Sequence, residues 1–122
     1  MKQLSLVICV YNEELNIKPL SEQIKVALKD YDYEAIFVDD GSIDRTREEI
    51  RAINDKHFLL LELKKNYGQS SALQAGIEAA SGEYVALIDG DLQNDPADIP
   101  MMLKMAKDGE WDMVAGVRAN RK

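Results

Sequence analysis

Leu4-Ser5-Leu6-Val7-Ile8-Cys9-Val10, followed at once by Tyr11-Asn12-Glu13-Glu14, is the stretch that decides the fold. The apolar, β-branched run reads as a short buried strand, and the polar tetrad breaks it. Ile17, Leu20, Ile24, Ala27 and Leu28 then recur at helical spacing, which predicts a helix over 16–30. A buried strand, a polar turn and an amphipathic helix form the first half of a βα unit, and the rest of the chain repeats that pattern.

Residues 34–38 read as a second strand, ending at Asp39-Asp40-Gly41-Ser42. Asp44 is placed to cap a helix carrying Ile50 and Ile53. Residues 58–63 are a third strand, followed by the loop Lys64-Lys65-Asn66-Tyr67-Gly68. A small-residue helix over 70–80 ends near Gly82. Residues 84–88 are apolar throughout and predict a central fourth strand. The loop from Asp89 to Pro96 leads into a helix over 97–107 with Ile99, Leu103 and Met102 or Ala106 on one side. Met102 and Met105 are read as core. Residues 112–116 form a last strand, and the basic tail from Arg118 to Lys122 shows no core pattern. Strands separated by helices imply right-handed βαβ units, hence an α/β fold with a mostly parallel central sheet and helices on both faces. The expected organisation is one domain over 1–117 and a tail over 118–122, without repeats or linkers.

The 122 residues are 46% hydrophobic and 30% charged, the composition of a folded domain. A net charge of -7 repels nucleic-acid phosphate and argues against DNA or RNA as the partner. A divalent cation bridging carboxylates to phosphates reconciles that acidity with a phosphorylated ligand. The single cysteine, Cys9, is read as a small core residue, which rules out an internal disulfide framework and fits a reducing compartment. No secretory leader is expected, and no run reaches the roughly 18 apolar residues of a membrane span.

Ligands of open parallel sheets sit beyond the carboxyl ends of the strands. Four polar clusters fall there: Tyr11-Asn12-Glu13, Asp39-Asp40, Lys65-Asn66 and Asp89-Gly90-Asp91. Asp89 and Asp91 can turn toward one hard cation, Mg²⁺ or Mn²⁺, with Gln93 as a third oxygen ligand and Gly90 allowing a tight turn. An acidic turn without ligand is the plainer reading of the same residues. Asp39 or Asp40 can accept a hydrogen bond from a base N–H or a ribose hydroxyl, or cap the next helix. Tyr11 can stack on a base and Glu13 can meet a ribose. Lys65 can neutralise a diphosphate, and Arg118, placed by its order after the last strand at the ligand edge, can hold a phosphate. His57 is read as a helix-end residue far from that edge.

In this order the segments Val10-Tyr11-Asn12-Glu13-Glu14, Val38-Asp39-Asp40-Gly41-Ser42 with Asp44 and Thr46, Lys65-Asn66-Tyr67-Gly68-Gln69, and Asp89-Gly90-Asp91-Leu92-Gln93-Asn94-Asp95-Pro96 resemble the family 2 glycosyltransferases of the GT-A fold. The branch most resembled is the polyprenol-phosphate sugar synthases. The resemblance implies a nucleotide-sugar donor, UDP- or GDP-linked, a polyprenyl phosphate acceptor and inversion at the anomeric carbon. It implies that Asp39 reads the base, with Tyr11, Asn12, Glu13, Asp40 and Lys65 nearby. Asp89, Asp91 and Gln93 would bind Mg²⁺ or Mn²⁺, and Asp91 and Arg118 would serve catalysis. Family members run well past residue 122, so the chain reads as a soluble fragment of a protein acting at the cytoplasmic side of a membrane; a homo-oligomer is left open. A Rossmann oxidoreductase is disfavoured because the first turn has no glycine, and a P-loop NTPase because Gly-Lys-Ser/Thr is absent. A saccharide hydroxyl acceptor and a non-catalytic nucleotide-sugar-binding domain remain alternatives.

Overall fold

A computed structural model describes residues 3–89, 96–108, 113–114 and 117–119. Along the chain run β1 (Leu4–Val10), α1 (Ile17–Ala27), β2 (Tyr33–Asp39), α2 (Thr46–Arg51), β3 (Phe58–Glu62), α3 (Gln69–Ala79) and β4 (Tyr84–Asp89). One 3-10 turn (Pro96–Asp98), α4 (Ile99–Asp108), β5 (Met113–Val114) and β6 (Val117–Ala119) follow. The sheet order is β3-β2-β1-β4-β6-β5. The first four strands are parallel, with Val10 opposite Asp39, Cys9 opposite Asp89 and Asp39 opposite Glu62. Their carboxyl ends are therefore level.

Strand alternation decides which face each side chain covers. Leu4, Leu6, Ile8 and Val10 of β1 pack with Ile17, Leu20 and Ile24 of α1, Ile50 of α2, and Ile99 and Leu103 of α4. Val7 points the other way, into a second cluster with Ile36, Val38 and Ala72 of α3. Helices thus cover both faces, as the alternation of elements predicted. Each fully buried Leu or Ile contributes roughly 1.5–3 kcal/mol. The small residues of α3 let it lie close to the sheet: a Cβ on Gly76 would sit 2.4 Å from Val7 Cγ1 and 3.0 Å from Val38 Cγ2. Cys9 is half-buried against this layer rather than inside the core.

The amino ends of the strands are tied by a buried carboxylate. Glu34 Oε2 accepts from Ser5 Oγ (2.6 Å), Ser81 N (2.7 Å) and Ser81 Oγ (2.9 Å), while Gly82 N donates to Ser5 Oγ (2.7 Å).

Some boundaries differ from expectation. Helix α1 ends at Ala27: Leu28 still donates to Ile24 O but leaves helical dihedrals, and Tyr31 N then donates to Leu28 O, turning the chain into β2. Met105 is half-exposed, not core: it lies six residues past Ile99, round the helix from the face that Ile99 and Leu103 bury. Within the expected strand over 112–116 the described residues Met113–Val114 form β5, and β6 (Val117–Ala119), antiparallel to β4, reaches into the stretch read as a tail. Two residues separate β5 from β6, a link long enough for an antiparallel reversal and far too short for a parallel crossover. No helix among the described residues is long and apolar enough to cross a membrane.

Candidate active site

The level strand ends bring Val10, Asp39, Glu62 and the backbone of Asp89 to one edge. Three loops leave from there. The first two are stitched together by short polar side chains. Asn12, in the left-handed region with φ 51°, donates its N–H to Ser42 Oγ (2.9 Å) and accepts from Ile43 N at Oδ1 (3.0 Å). Glu13 N donates to Thr46 Oγ1 (2.9 Å), and Glu13 Oε2 accepts from Asn16 Nδ2 (2.6 Å). Asp44 receives Glu14 N on one oxygen (3.3 Å) and Thr46 N on the other (2.9 Å); it stands one residue before the N-cap of α2, Arg45, rather than at the cap expected of it. Desolvation raises the Asp44 pKa, but donation from Thr46 and Glu14 outweighs it and leaves the carboxyl below its usual range.

The adjacent aspartates divide two roles. Asp40 is buried and spends both oxygens on the third loop, accepting from Tyr67 N (2.8 Å) and Gly68 N (3.0 Å). Gly41, at φ 77°, lets that loop approach: a Cβ there would lie 2.4 Å from the Lys65 carbonyl carbon. Asp39 is fully buried. Its Oδ2 accepts from Ser42 N (3.1 Å) and from Arg47 Nε, while Oδ1 has no hydrogen-bond partner among the described residues. Buried polar atoms are nearly always satisfied, so an orphan acceptor at a ligand edge marks a place for a donor.

Tyr11, Asn12, Glu13, Asp39, Asp40 and Lys65 thus lie along the edge where Asp89 ends β4. Tyr11 is exposed, and Lys65 Nζ stands 5.3 Å from the Tyr67 ring centroid. Gly90, Asp91 and Gln93 lie outside the described residues. Among the described residues no three His, Cys, Asp or Glu side chains gather as a metal cage. The oxygen-donor chemistry of Asp89, Asp91 and Gln93 is the kind Mg²⁺ and Mn²⁺ take.

Arg118 requires a correction. Chain order placed it at the ligand edge, yet its backbone pairs opposite Val85, near the amino end of β4. Strand β6 runs antiparallel and so leads away from the edge; Asp89 lies four positions beyond Val85, about 13 Å of strand. His57 lies at the amino end of β3, on the opposite edge as expected, though in the turn before that strand rather than at a helix end. Its Nδ1 meets Asp55 Oδ1 at 2.7 Å and its ring stacks on Tyr33 at 4.4 Å. Sequence reading missed Arg47. Its only signal is a cation eight residues past Asp39, across a turn, which no periodicity rule picks out.

The model of glycosyl transferase family 2 matches residues 5–122. The chain belongs to glycosyl transferase family 2. It is 45% identical to the dodecaprenyl-phosphate galacturonate synthase of Rhizobium johnstonii over 125 residues, covering 98% of this chain and 37% of that relative. It is 41% identical over 126 residues to the undecaprenyl-phosphate 4-deoxy-4-formamido-L-arabinose transferase of Yersinia pestis, covering 99% of this chain and 38% of that relative. The chain therefore spans well under half of these curated relatives. Among solved structures it resembles the mannosyltransferase of Pyrobaculum calidifontis in complex with GDP-Man and Mn²⁺, with a TM-score of 0.76, 25% identity, and coverage of 86% of this chain and 32% of that one. The family 2 fold here is the GT-A fold.

Proposed function

We propose that the protein transfers a hexosyl unit from a nucleoside diphosphate sugar, UDP- or GDP-linked, to a polyprenyl phosphate, with Mg²⁺ or Mn²⁺ and with inversion. The observation that carries this reading is Asp39 Oδ1, a buried acceptor without a partner among the described residues, on the strand edge where Asp89 also ends. The relatives named for dodecaprenyl- and undecaprenyl-phosphate support the acceptor class. The neighbour holding GDP-Man and Mn²⁺ supports the donor class and the metal.

In this reading Asp39 accepts a base N–H, Tyr11 packs on the nucleoside, and Asn12 and Glu13 frame it. Lys65 offsets diphosphate charge, and Asp40 holds its loop in reach. Asp89, Asp91 and Gln93 would hold the cation, and the metal, when bound, would supply Lewis-acid stabilisation of the leaving diphosphate. An oxygen of the lipid phosphate forms the new bond to the anomeric carbon as the bond to the diphosphate oxygen breaks. The electron pair departs with the diphosphate, and in-line displacement inverts the centre. A phosphate acceptor is already anionic at neutral pH, so no general base is needed. Arg118 has no part in this scheme, since β6 carries it away from the edge. A lipid acceptor puts the whole protein at a membrane surface, on the cytoplasmic side in our reading.

Calorimetric titration with UDP and GDP, with and without Mn²⁺, tests the site. Asp91→Ala should abolish the Mn²⁺-dependent part of the binding; unchanged binding removes Asp91 from the site.

A further inference from the structure

Arg47 bonds to two neighbouring strands of the sheet through two of its nitrogens. It stands in the first turn of α2, and its Nε donates to Asp39 Oδ2. Its Nη2 donates to Leu63 O at 2.6 Å, at the end of β3. Its Nε lies 3.6 Å from Glu62 Oε1, which Arg51 also binds. The planar fork is thus anchored on β2 and β3 at once, and a guanidinium held at two atoms cannot swing. Ser42 N occupies the same Asp39 oxygen as Arg47. Both donors meet Oδ2, and Oδ1 has no hydrogen-bond partner among the described residues.

We propose that Arg47 is a positioning residue that sets base selectivity at the donor site. By occupying Oδ2 it turns Asp39 so that Oδ1 presents a single acceptor. That acceptor welcomes a ring N–H and repels a ring-nitrogen lone pair. Keto bases carry the N–H: N3 of uracil and N1 of guanine. Amino bases carry a lone pair at the same ring position: N3 of cytosine and N1 of adenine. The site therefore takes keto-base nucleoside diphosphates. The inference rests on the nucleotide-sugar reading of this edge.

The test is titration with UDP, CDP, GDP and ADP in the presence of Mn²⁺. The wild-type chain should favour UDP over CDP, or GDP over ADP, by about tenfold or more, the worth of a hydrogen bond to a charged acceptor. Arg47→Gln should bring that ratio to within about threefold, close to Asp39→Asn. Arg47→Lys keeps the charge without the fork, so its ratio should also fall. Far-ultraviolet circular dichroism identifies the folded variants. A folded Arg47 variant that keeps the wild-type ratio overturns the proposal, because a purely structural role leaves the ratio untouched. Wild-type binding without keto preference overturns it too, while sparing the donor site. Binding of neither UDP nor GDP sinks the donor-site reading itself.

Discussion

Gly41 shows how one missing methyl shapes the site. With φ at 77°, an L side chain there is strained, and its Cβ would sit 2.4 Å from Lys65 C and 2.5 Å from Asn66 N. Those atoms are backbone and cannot rotate away. Gly41→Ala should therefore cost about 1–3 kcal/mol in backbone strain alone, with overlap adding to it. The Lys65 loop should lift off Asp40, so urea denaturation will show the loss and trypsin will cut faster after Lys64 and Lys65. Asp44 invites a pH experiment. Its pKa is lowered from 3.8 in the folded state, so its contribution is complete above 3.8 and vanishes as pH falls through the lower folded value. The urea midpoints of the wild type and Asp44→Asn should differ by a constant amount above about pH 5 and converge below the folded pKa. A constant gap down to pH 2 would mean that the Asp44 charge does not hold the two loops together. Asp39 and Asp40 were legible as candidates from their place at a strand end. Their division of labour was not, because it depends on which backbone N–H groups the folded third loop presents.

Among the elements, β1 was readable to the residue because its flanks are polar on both sides and its interior is apolar apart from Ser5. Helix α1 was read too long: Leu28 continues the apolar spacing, and only the bonds at its end show the turn. Strand β6 was unreadable, since three residues over 117–119 carry no period and their pairing with β4 is a tertiary event. That miss moved Arg118 to the wrong end of the sheet. The close seat of α3 was legible only as a small-residue composition, and it makes a sharper prediction. Gly76→Ala gains about 1 kcal/mol of helix propensity. It also forces a Cβ to 2.4 Å from Val7 Cγ1, on a β-branched side chain that has little freedom in a strand. Overpacking of this kind costs about 1–3 kcal/mol, so the net effect should be destabilising. Val7→Ala alone should also destabilise, yet the double variant should recover part of the Gly76→Ala loss. Simple additivity in thermal melts would mean that the two sites do not touch in the folded chain.

Across the whole molecule the two ends of the sheet are held by different means. The carboxyl end is held by loop stitches that also shape the donor edge: Asn12 with Ser42 and Ile43, Asp44 with Glu14, Asp40 with Tyr67 and Gly68. The amino end is held by Glu34, which gathers Ser5 and Ser81 around one buried oxygen. Since β1, β2 and β4 pair in register over most of their length, these ends are separated by six residues of strand, about 20 Å. Perturbations at one end should reach the other only by unfolding the chain. Glu34→Gln keeps the size and one acceptor oxygen but replaces the other with a donor beside Ser5 and Ser81. It should lower stability by about 1–3 kcal/mol, the cost of unmet buried hydrogen bonds. Nucleotide affinity, measured well below the melting temperature, should stay within about twofold, since sites this far apart with no shared partners act additively. Asp40→Ala should lose a comparable stability and also weaken nucleotide binding, because its partners hold the Lys65 loop. Equal losses of affinity in both variants would mean that the donor edge depends on overall rigidity rather than on its own stitches.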